Sequence, residues 1–165
     1  MKRIFALCFL ALVSTLTGCG PKKIDIYTNV WRYSIEPTFT SKSGSKAFKI
    51  WSYSRNTSYG LELAKRNAVH GAIFKGIPAS ADGRVPGQMA LLRSSASESQ
   101  NQEYFNNFFA NGGSYLKFVT QASDEAPDII RVNNNEFKIG IVVTVNSDLL
   151  RKQLEQDGII RKLGL

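Results

Sequence analysis

The sequence predicts an α+β fold: a single-domain two-layer sandwich, with a mixed or mainly antiparallel sheet and about three helices. Strand-like and helix-like segments alternate in the first half of the chain, whereas strand-like segments follow one another in the second half. A chain of 165 residues, 43% hydrophobic and 11% aromatic, is large and apolar enough for one well-filled core. No internal repeat or second domain-sized segment interrupts it.

Ile24 to Tyr33 sets Ile24, Ile26, Thr28 and Val30 on one side of a period-two pattern, which predicts a first strand. Glu36 to Ser45, rich in Pro, Ser, Thr and Gly, predicts a loop. Ala47 to Ser54 carries Phe48, Ile50, Trp51 and Tyr53, strong strand formers, and predicts a second strand. Thr57 or Ser58 can cap a helix running to about Phe74, on which Leu61, Ala64, Ala68 and Ala72 recur at helical spacing. Its alanines would let it approach a sheet closely. Gly76, Pro78, Gly83, Pro86 and Gly87 then predict a long loop from Gly76 to Gln88, with Met89 to Leu92 as a short strand after it.

Ser97 or Ser99 can cap the next helix, with Glu98 or Glu103 near its positive end. Tyr104, Phe105, Phe108 and Phe109 give that helix an aromatic stripe of the core-facing kind, and Gly112-Gly113 stops it. Tyr115 to Thr120 predicts a strand. Asp128 to Val132 and Phe137 to Val145 predict a hairpin around Asn133-Asn134-Asn135, since Asn tolerates left-handed turn geometry. Asn146 or Ser147 caps a last helix that ends at Gly158, and a short tail from Ile159 to Leu165 follows.

The N-terminus carries a separate message. Lys2 and Arg3 precede an apolar run from Ile4 to Val13, and Ser14 to Gly18 supplies the small, polar approach to a cleavage site, the pattern of a secretory signal. The run is too short for a membrane-spanning helix, which needs about 20 apolar residues. Leu16-Thr17-Gly18-Cys19 resembles the lipobox of bacterial lipoproteins. The resemblance implies cleavage before Cys19, a diacylglycerol on its sulfur and a fatty acid on its new amino group. Two or more acyl chains hold a protein firmly on a bilayer, whereas one does not. In the enterobacterial members an Asp after the Cys retains the protein at the inner membrane; Gly20 stands there, so the resemblance favours the outer membrane. The acidic run that sends some lipoproteins to the cell surface is replaced by Gly20-Pro21-Lys22-Lys23, which favours the periplasmic side. The expected organisation is a cleaved signal over residues 1–18, a lipidated tether over 19–23 and one α+β domain over 24–165.

Cys8 would leave with the signal, so Cys19 would be the sole mature cysteine, with no intrachain disulfide possible. The formal charge of +8 includes Lys2 and Arg3, which leaves about +6 on the mature part. In an exported protein that charge faces phospholipid headgroups, lipopolysaccharide or cell-wall polymers rather than nucleic acid. The expected partners are therefore the bilayer through Cys19 and an envelope protein or anionic polymer.

Candidate chemistry is sparse. His70 is the sole histidine, on the alanine-rich helix, and is a potential acid-base group, although a lone helical histidine is more often packed or solvated. With no second histidine and no cysteine besides the anchor, a zinc site is not indicated. Asp124, Glu125 and Asp128 lie around Pro127 without the density of a calcium loop, and no cofactor is nominated. No nucleophile elbow is present, and Gly71 to Gly76 lacks the Lys-Ser or Lys-Thr of a phosphate loop. The Gly76 to Gln88 loop is long for a compact domain and is the candidate binding loop, through Lys75, Gly76, Arg84 and Gly87. Trp31 and Trp51 have rings able to stack on sugars, but their strand-like surroundings favour core packing.

Asn67 to Gly76, Phe108-Phe109 with Gly112 to Tyr115, and Val142 to Asn146 with Gly158 to Arg161 make the body similar to small Bacteroidetes-type lipoproteins of no assigned activity. The alanine-rich helix followed by strands also resembles, at the level of fold alone, accessory lipoproteins of secretion and cell-wall assembly. The chain is thus expected to be a non-enzymatic envelope-binding module. The alternative is an envelope hydrolase acting on a wall or sugar polymer, for which His70 or a carboxylate pair would have to lie in a cleft.

Overall fold

A computed structural model of the protein describes residues 31–40, 46–93, 96–122 and 124–162. The signal, Cys19, the tether and most of the expected first strand lie outside the described residues. Within them the chain is an α+β domain. Strands β1 (Tyr33–Thr40), β2 (Lys46–Ser54), β3 (Val119–Gln121), β4 (Asp128–Asn133) and β5 (Glu136–Val145) form one sheet, packed on one face by helices. The strand order is β1-β2-β5-β3, β4 also pairs with β5, and every pairing is antiparallel. Tyr33, Ser52, Ile139 and Ile129 lie in one row across the sheet.

Alternation assigns the faces. Phe48, Ile50 and Ser52 of β2 and Ile139, Ile141 and Val143 of β5 turn into the core, where Phe48 and Ile50 are fully buried. The predicted loop from Glu36 to Ser45 is, over residues 36–40, the second half of β1; residues 41–45 lie outside the described residues. Pro37 is tolerated because, among the described residues, β1 pairs only with β2, and the register shifts between Pro37 and Phe39.

Asn56, rather than Thr57 or Ser58, caps the helical segment: its side chain accepts from the Ser58 amide, and a 3₁₀ turn (Thr57–Tyr59) leads into α1 (Gly60–His70). Small residues recur along the face of α1 that meets β2 and β5: Gly60, Ala64 and Ala68, with Gly71 just beyond. A Cβ on Gly60 would sit 2.8 Å from Ile139 Cγ2, and one on Gly71 2.7 Å from Ile35 Cδ1. In this interface the Asn67 side-chain amide donates to Ser52 Oγ at 2.8 Å, a buried pair that satisfies both groups.

Beyond His70 the helix widens into a π turn (Gly71–Lys75), closed by a Gly76 N–H to Gly71 O bond of 2.8 Å. That bond takes the helical donor of the Ala72 carbonyl, and the Ile77 amide, which would serve Ile73, goes to Gln88 O instead. The Leu91 and Leu92 amides donate to the two freed carbonyls at 3.2 and 2.8 Å. Met89 to Leu92 therefore forms no strand; its backbone closes the helix end.

Helices α2 (Ala96–Gln100) and α3 (Gln102–Phe108) follow. Phe105, Phe108 and Phe109 are at most 4% exposed, so the aromatic stripe is core. The expected strand from Tyr115 is a 3₁₀ turn (Ser114–Phe118), and only β3 remains extended. Tyr115 and Phe118, three apart, point inward while Leu116 and Lys117 are exposed, a spacing that suits a 3₁₀ turn better than a strand.

β3 and β4 lie along the same side of β5. Gln121 faces Val143 and Asp128 faces Gly140, so seven steps on the edge advance three along β5. The excess of four residues is an excursion around Pro127. The predicted hairpin is present, its turn fixed by the Asn135 amide donating to Asn133 Oδ1 at 2.9 Å. Helix α4 (Ser147–Gln156) is capped by Asn146 Oδ1, which accepts from the Leu149 amide. It ends as predicted at Gly158, φ +74°, with Ile159 N–H returning to Leu154 O at 2.9 Å.

Gly76 and Gly83 both have positive φ, but only Gly76 is enclosed: its added Cβ would lie 2.5 Å from Gln88 O, whereas nothing lies within 4 Å at Gly83. Gly76→Ala is expected to cost about 3 kcal/mol and Gly83→Ala about 1 kcal/mol, read from urea midpoints by circular dichroism. Equal losses would show that the close approach of Gly76 to Gln88 does not matter to stability.

Candidate functional site

Arg66 and His70, four residues apart, share one flank of α1. Trp31, just before β1, and Tyr33, its first residue, reach the same flank. The Trp31 indole stacks on the His70 imidazole, with centroids 3.6 Å apart and planes at 23°, and the Arg66 guanidinium lies 4.6 Å from the Trp31 ring centre. Glu98 of α2 closes the cluster. Its Oε1 accepts from Trp31 Nε1 at 3.0 Å and lies 3.3 Å from His70 Nε2, while Tyr33 Oη lies 2.7 Å from His70 Nδ1. Because a carboxylate only accepts, one consistent assignment follows: Nε2–H donates to Glu98 and Nδ1 accepts from the Tyr33 hydroxyl. Phe74 and Phe109 complete the surroundings, at 4.8 and 5.9 Å from the imidazole.

His70 is 3% exposed. Burial pushes its pKa down to about 2, and the positive charges of Lys75 and Arg66 act in the same direction. The contact with Glu98 is thus a hydrogen bond of a neutral imidazole, not an ion pair. Burial, and secondarily Glu98, raises the Tyr33 hydroxyl well above the usual tyrosine range. Lys75 lies over the Tyr33 ring at 3.9 Å; burial lowers its pKa, and Glu98 opposes the shift. Each polar atom of the imidazole is engaged and both ring faces meet aromatic groups, so the cluster holds three segments together with a proton carrier kept in its neutral form.

The Gly76 to Gln88 loop is tied at its base by an Ile77–Gln88 bridge and in its middle by Ser80, which donates to Asp82 and accepts from the Val85 amide. Val85 is buried beneath it. Gly76 and Gly87 have packing reasons to be glycine: a Cβ on Gly87 would lie 3.0 Å from Ala79 N. Arg84 sits at the tip, its side chain 86% exposed, and pairs with Asp82 at 3.3 Å. Hydrogen bonds from Ser80 and the Arg84 amide hold the Asp82 carboxyl below its ordinary range. Lys75 belongs to the aromatic cluster and Arg84 to the loop tip.

The sheet face away from the helices carries a second aromatic group. The Trp51 ring lies on Gly140, where an added Cβ would be 2.7 Å from the indole, so Trp51 packs on this outer face rather than in the core. Its Nε1 donates to Glu36 at 2.7 Å, and the Lys138 and Lys49 ammonium groups lie 4.8 and 5.5 Å from its centroid. Arg32 covers the Tyr53 ring at 3.9 Å and pairs with Glu136 at 2.7 Å, and Lys49 pairs with Asp128 at 2.6 Å. That hydrogen bond raises the Lys49 pKa. A separate groove of about 330 Å³ runs between α3, the 3₁₀ turn and α4. Phe108 and Phe118 line its floor, Lys117 is on its rim, and Tyr104 donates to Asp157 at 2.6 Å.

Among the described residues, no three His, Cys, Asp or Glu side chains are placed to hold a metal ion, and no helix is long and apolar enough to cross a membrane. The sequence named His70, Trp31 as a ring able to stack on sugars and Glu98 as a residue at a helix start, but joined none of them and did not nominate Tyr33; the two-residue spacing of Trp31 and Tyr33 is the one local hint that those two share a side. No family model, curated protein or solved structure matches the chain.

The sign of the pH effect follows from His70. Between its ordinary value of 6.5 and its folded value of about 2, the unfolded chain binds a proton that the folded chain refuses. Stability from this source is fully present above pH 6.5 and falls on acidification, by up to about 1.4 kcal/mol per pH unit. His70→Gln should flatten the urea midpoint between pH 6.5 and 5. An unchanged slope would show that His70 already accepts a proton in the fold.

Proposed function

We propose that the protein is a lipid-anchored, non-enzymatic module of the bacterial envelope, held by Cys19 at the periplasmic side of the outer membrane, where it binds an envelope protein or an anionic polymer. The observation that carries the non-enzymatic part is the state of His70: buried, bonded at both ring nitrogens and neutral. The side chain best suited by type to acid-base work near neutral pH is used in packing. The anchor rests on Leu16-Thr17-Gly18-Cys19 and on the basic, apolar segment before it. The binding part is supported by the outer sheet face, where Trp51 and Tyr53 sit among Arg32, Lys49 and Lys138, groups able to meet flat or anionic surfaces.

Two experiments test this. Cys19→Ala should abolish labelling by radioactive palmitate and release the protein from the membrane fraction; persistent labelling rejects the anchor. Crosslinking in intact cells should give adducts that Trp51→Ala with Lys138→Ala removes and His70→Gln spares. The opposite pattern, loss with His70→Gln alone in a variant that still folds, would reject the binding module in favour of catalysis at His70.

A further inference from the structure

We propose that β4 is the surface through which two copies of this chain pair, edge to edge, to form one continuous antiparallel sheet. β4 hydrogen-bonds to β5 along one side, and among the described residues no strand occupies its other side. All six residues of β4 are exposed, including Ile129, Ile130 and Val132 at 51%, 50% and 46%. Ile130, opposite Lys138, points to the outer face of the sheet and Ile129, opposite Ile139, to the helical face, so β4 is bare on both faces; Val132 lies where the register shifts between Arg131 and Asn133. A six-residue edge with three exposed β-branched apolar side chains and no proline is the kind that templates another strand.

Charge favours a second copy as the occupant. Asp124 and Glu125 lie at the entrance to β4, ahead of Asp128, which pairs with Lys49, whereas Arg131 lies toward its exit and Lys138 faces Ile130 from β5. A strand acidic at its start and basic at its end complements itself only when the copies run antiparallel, the arrangement that a two-fold axis perpendicular to the sheet produces. That axis also requires directly opposed residues to share a face. Centring it on Arg131 would oppose two guanidinium groups. Centring it on Ile129 would set Val132 against the irregular excursion before β4. Centring it on Ile130 pairs Ile130 with its own copy and the stem of Arg131 with Ile129, over the regular run that precedes the register shift.

The test is a cysteine scan of β4 in the full-length chain in mild detergent. Each residue from Asp128 to Asn133 is replaced by Cys in turn and oxidised, with the parent chain, which holds Cys8 and Cys19, as background. Opposed strand residues have Cα atoms within disulfide reach, whereas a shift of one residue from the axis carries the pair beyond about 7 Å. Ile130→Cys should therefore give disulfide-linked dimer at several times the yield of Ile129→Cys or Arg131→Cys. Independently, Ile130→Lys with Val132→Lys should halve the mass measured by light scattering with an unchanged circular dichroism spectrum; both positions are exposed, so folding should survive. The proposal is overturned by equal yields at all six positions, by no yield above the parent, by a monomeric parent chain, or by Ile130→Cys capturing a different polypeptide in cells.

Discussion

The close seating of α1 on β2 and β5 is the constraint on which the rest of the domain depends. Gly60, against Ile139 of β5, leaves less space than a methyl group needs, and Ala64 and Ala68 beyond it are fully buried; Gly71, just past the helix, lies as close to Ile35 of β1. Such proximity leaves no room for a mismatched polar group, and the buried Asn67 amide meets Ser52 directly. With one face so near the sheet, the remaining sides of α1 become sites on which other segments must pack. Trp31 covers the flank of Arg66 and His70, and Val69 and Ile73 are buried away from the sheet with Leu92 and Phe105 in the same core. A helix buried on several sides has little use for an amphipathic pattern, which explains its polar-looking yet enclosed sequence.

The end of α1 transmits this constraint. Because the last turn widens, two carbonyls lose their helical donors inside the protein, where an unpaired carbonyl is costly. Leu91 and Leu92 supply the missing amides, and that connection fixes where the chain leaves for α2. Glu98 on α2 then reaches Trp31 and His70. The histidine cluster is in this sense a product of how the helix ends. It joins the start of β1, the flank of α1 and α2, all distant in sequence, through neutral and charge-assisted hydrogen bonds under aromatic cover. Its hydrogen bonds and ring contacts join the three segments into one packed unit.

Local pattern made much of this legible. The α+β class, β2, α1, the aromatic stripe, the β4–β5 hairpin and the Gly158 stop each rest on signals within about ten residues: alternation, helical period, Asn at a turn, Gly at a helix end. The misreadings occur where distant partners decide. Pro37 looks like a loop marker until β1 is known to be an edge strand. Tyr115 and Phe118 look like strand formers, but their three-residue spacing serves a 3₁₀ turn that buries both rings. Met89 to Leu92 has a strand-like composition, yet its amides are taken by the orphaned carbonyls of α1. His70 could be named from sequence, but its partners Tyr33 and Glu98 lie 37 and 28 residues away, and no local spacing joins them to it.

The two sides of the sheet resolve the problem of exposed edges differently, and the contrast bears on what the fold is for. On one side, Pro37 removes an amide from β1 and a register shift breaks its regularity, two devices that discourage a further strand. On the other side, β3 is three residues long and gives way at once to the excursion, which ends its edge as well. β4 shifts register late, between Arg131 and Asn133, but has neither proline nor helical cover. Arg131 is its single internal charge, with its Nε bonded to Asn133 O at 3.3 Å, and the apolar residues around it are bare. Within one sheet, therefore, proline guards one edge and an early break another, whereas the run from Asp128 to Arg131 is regular and uncovered. Folding alone gives no reason for Ile129, Ile130 and Val132 to remain exposed there, since polar strand formers such as Thr would pair equally well with β5. Their apolar character makes physical sense when β4 meets a further strand, and the charge asymmetry along it matches another β4 running the opposite way.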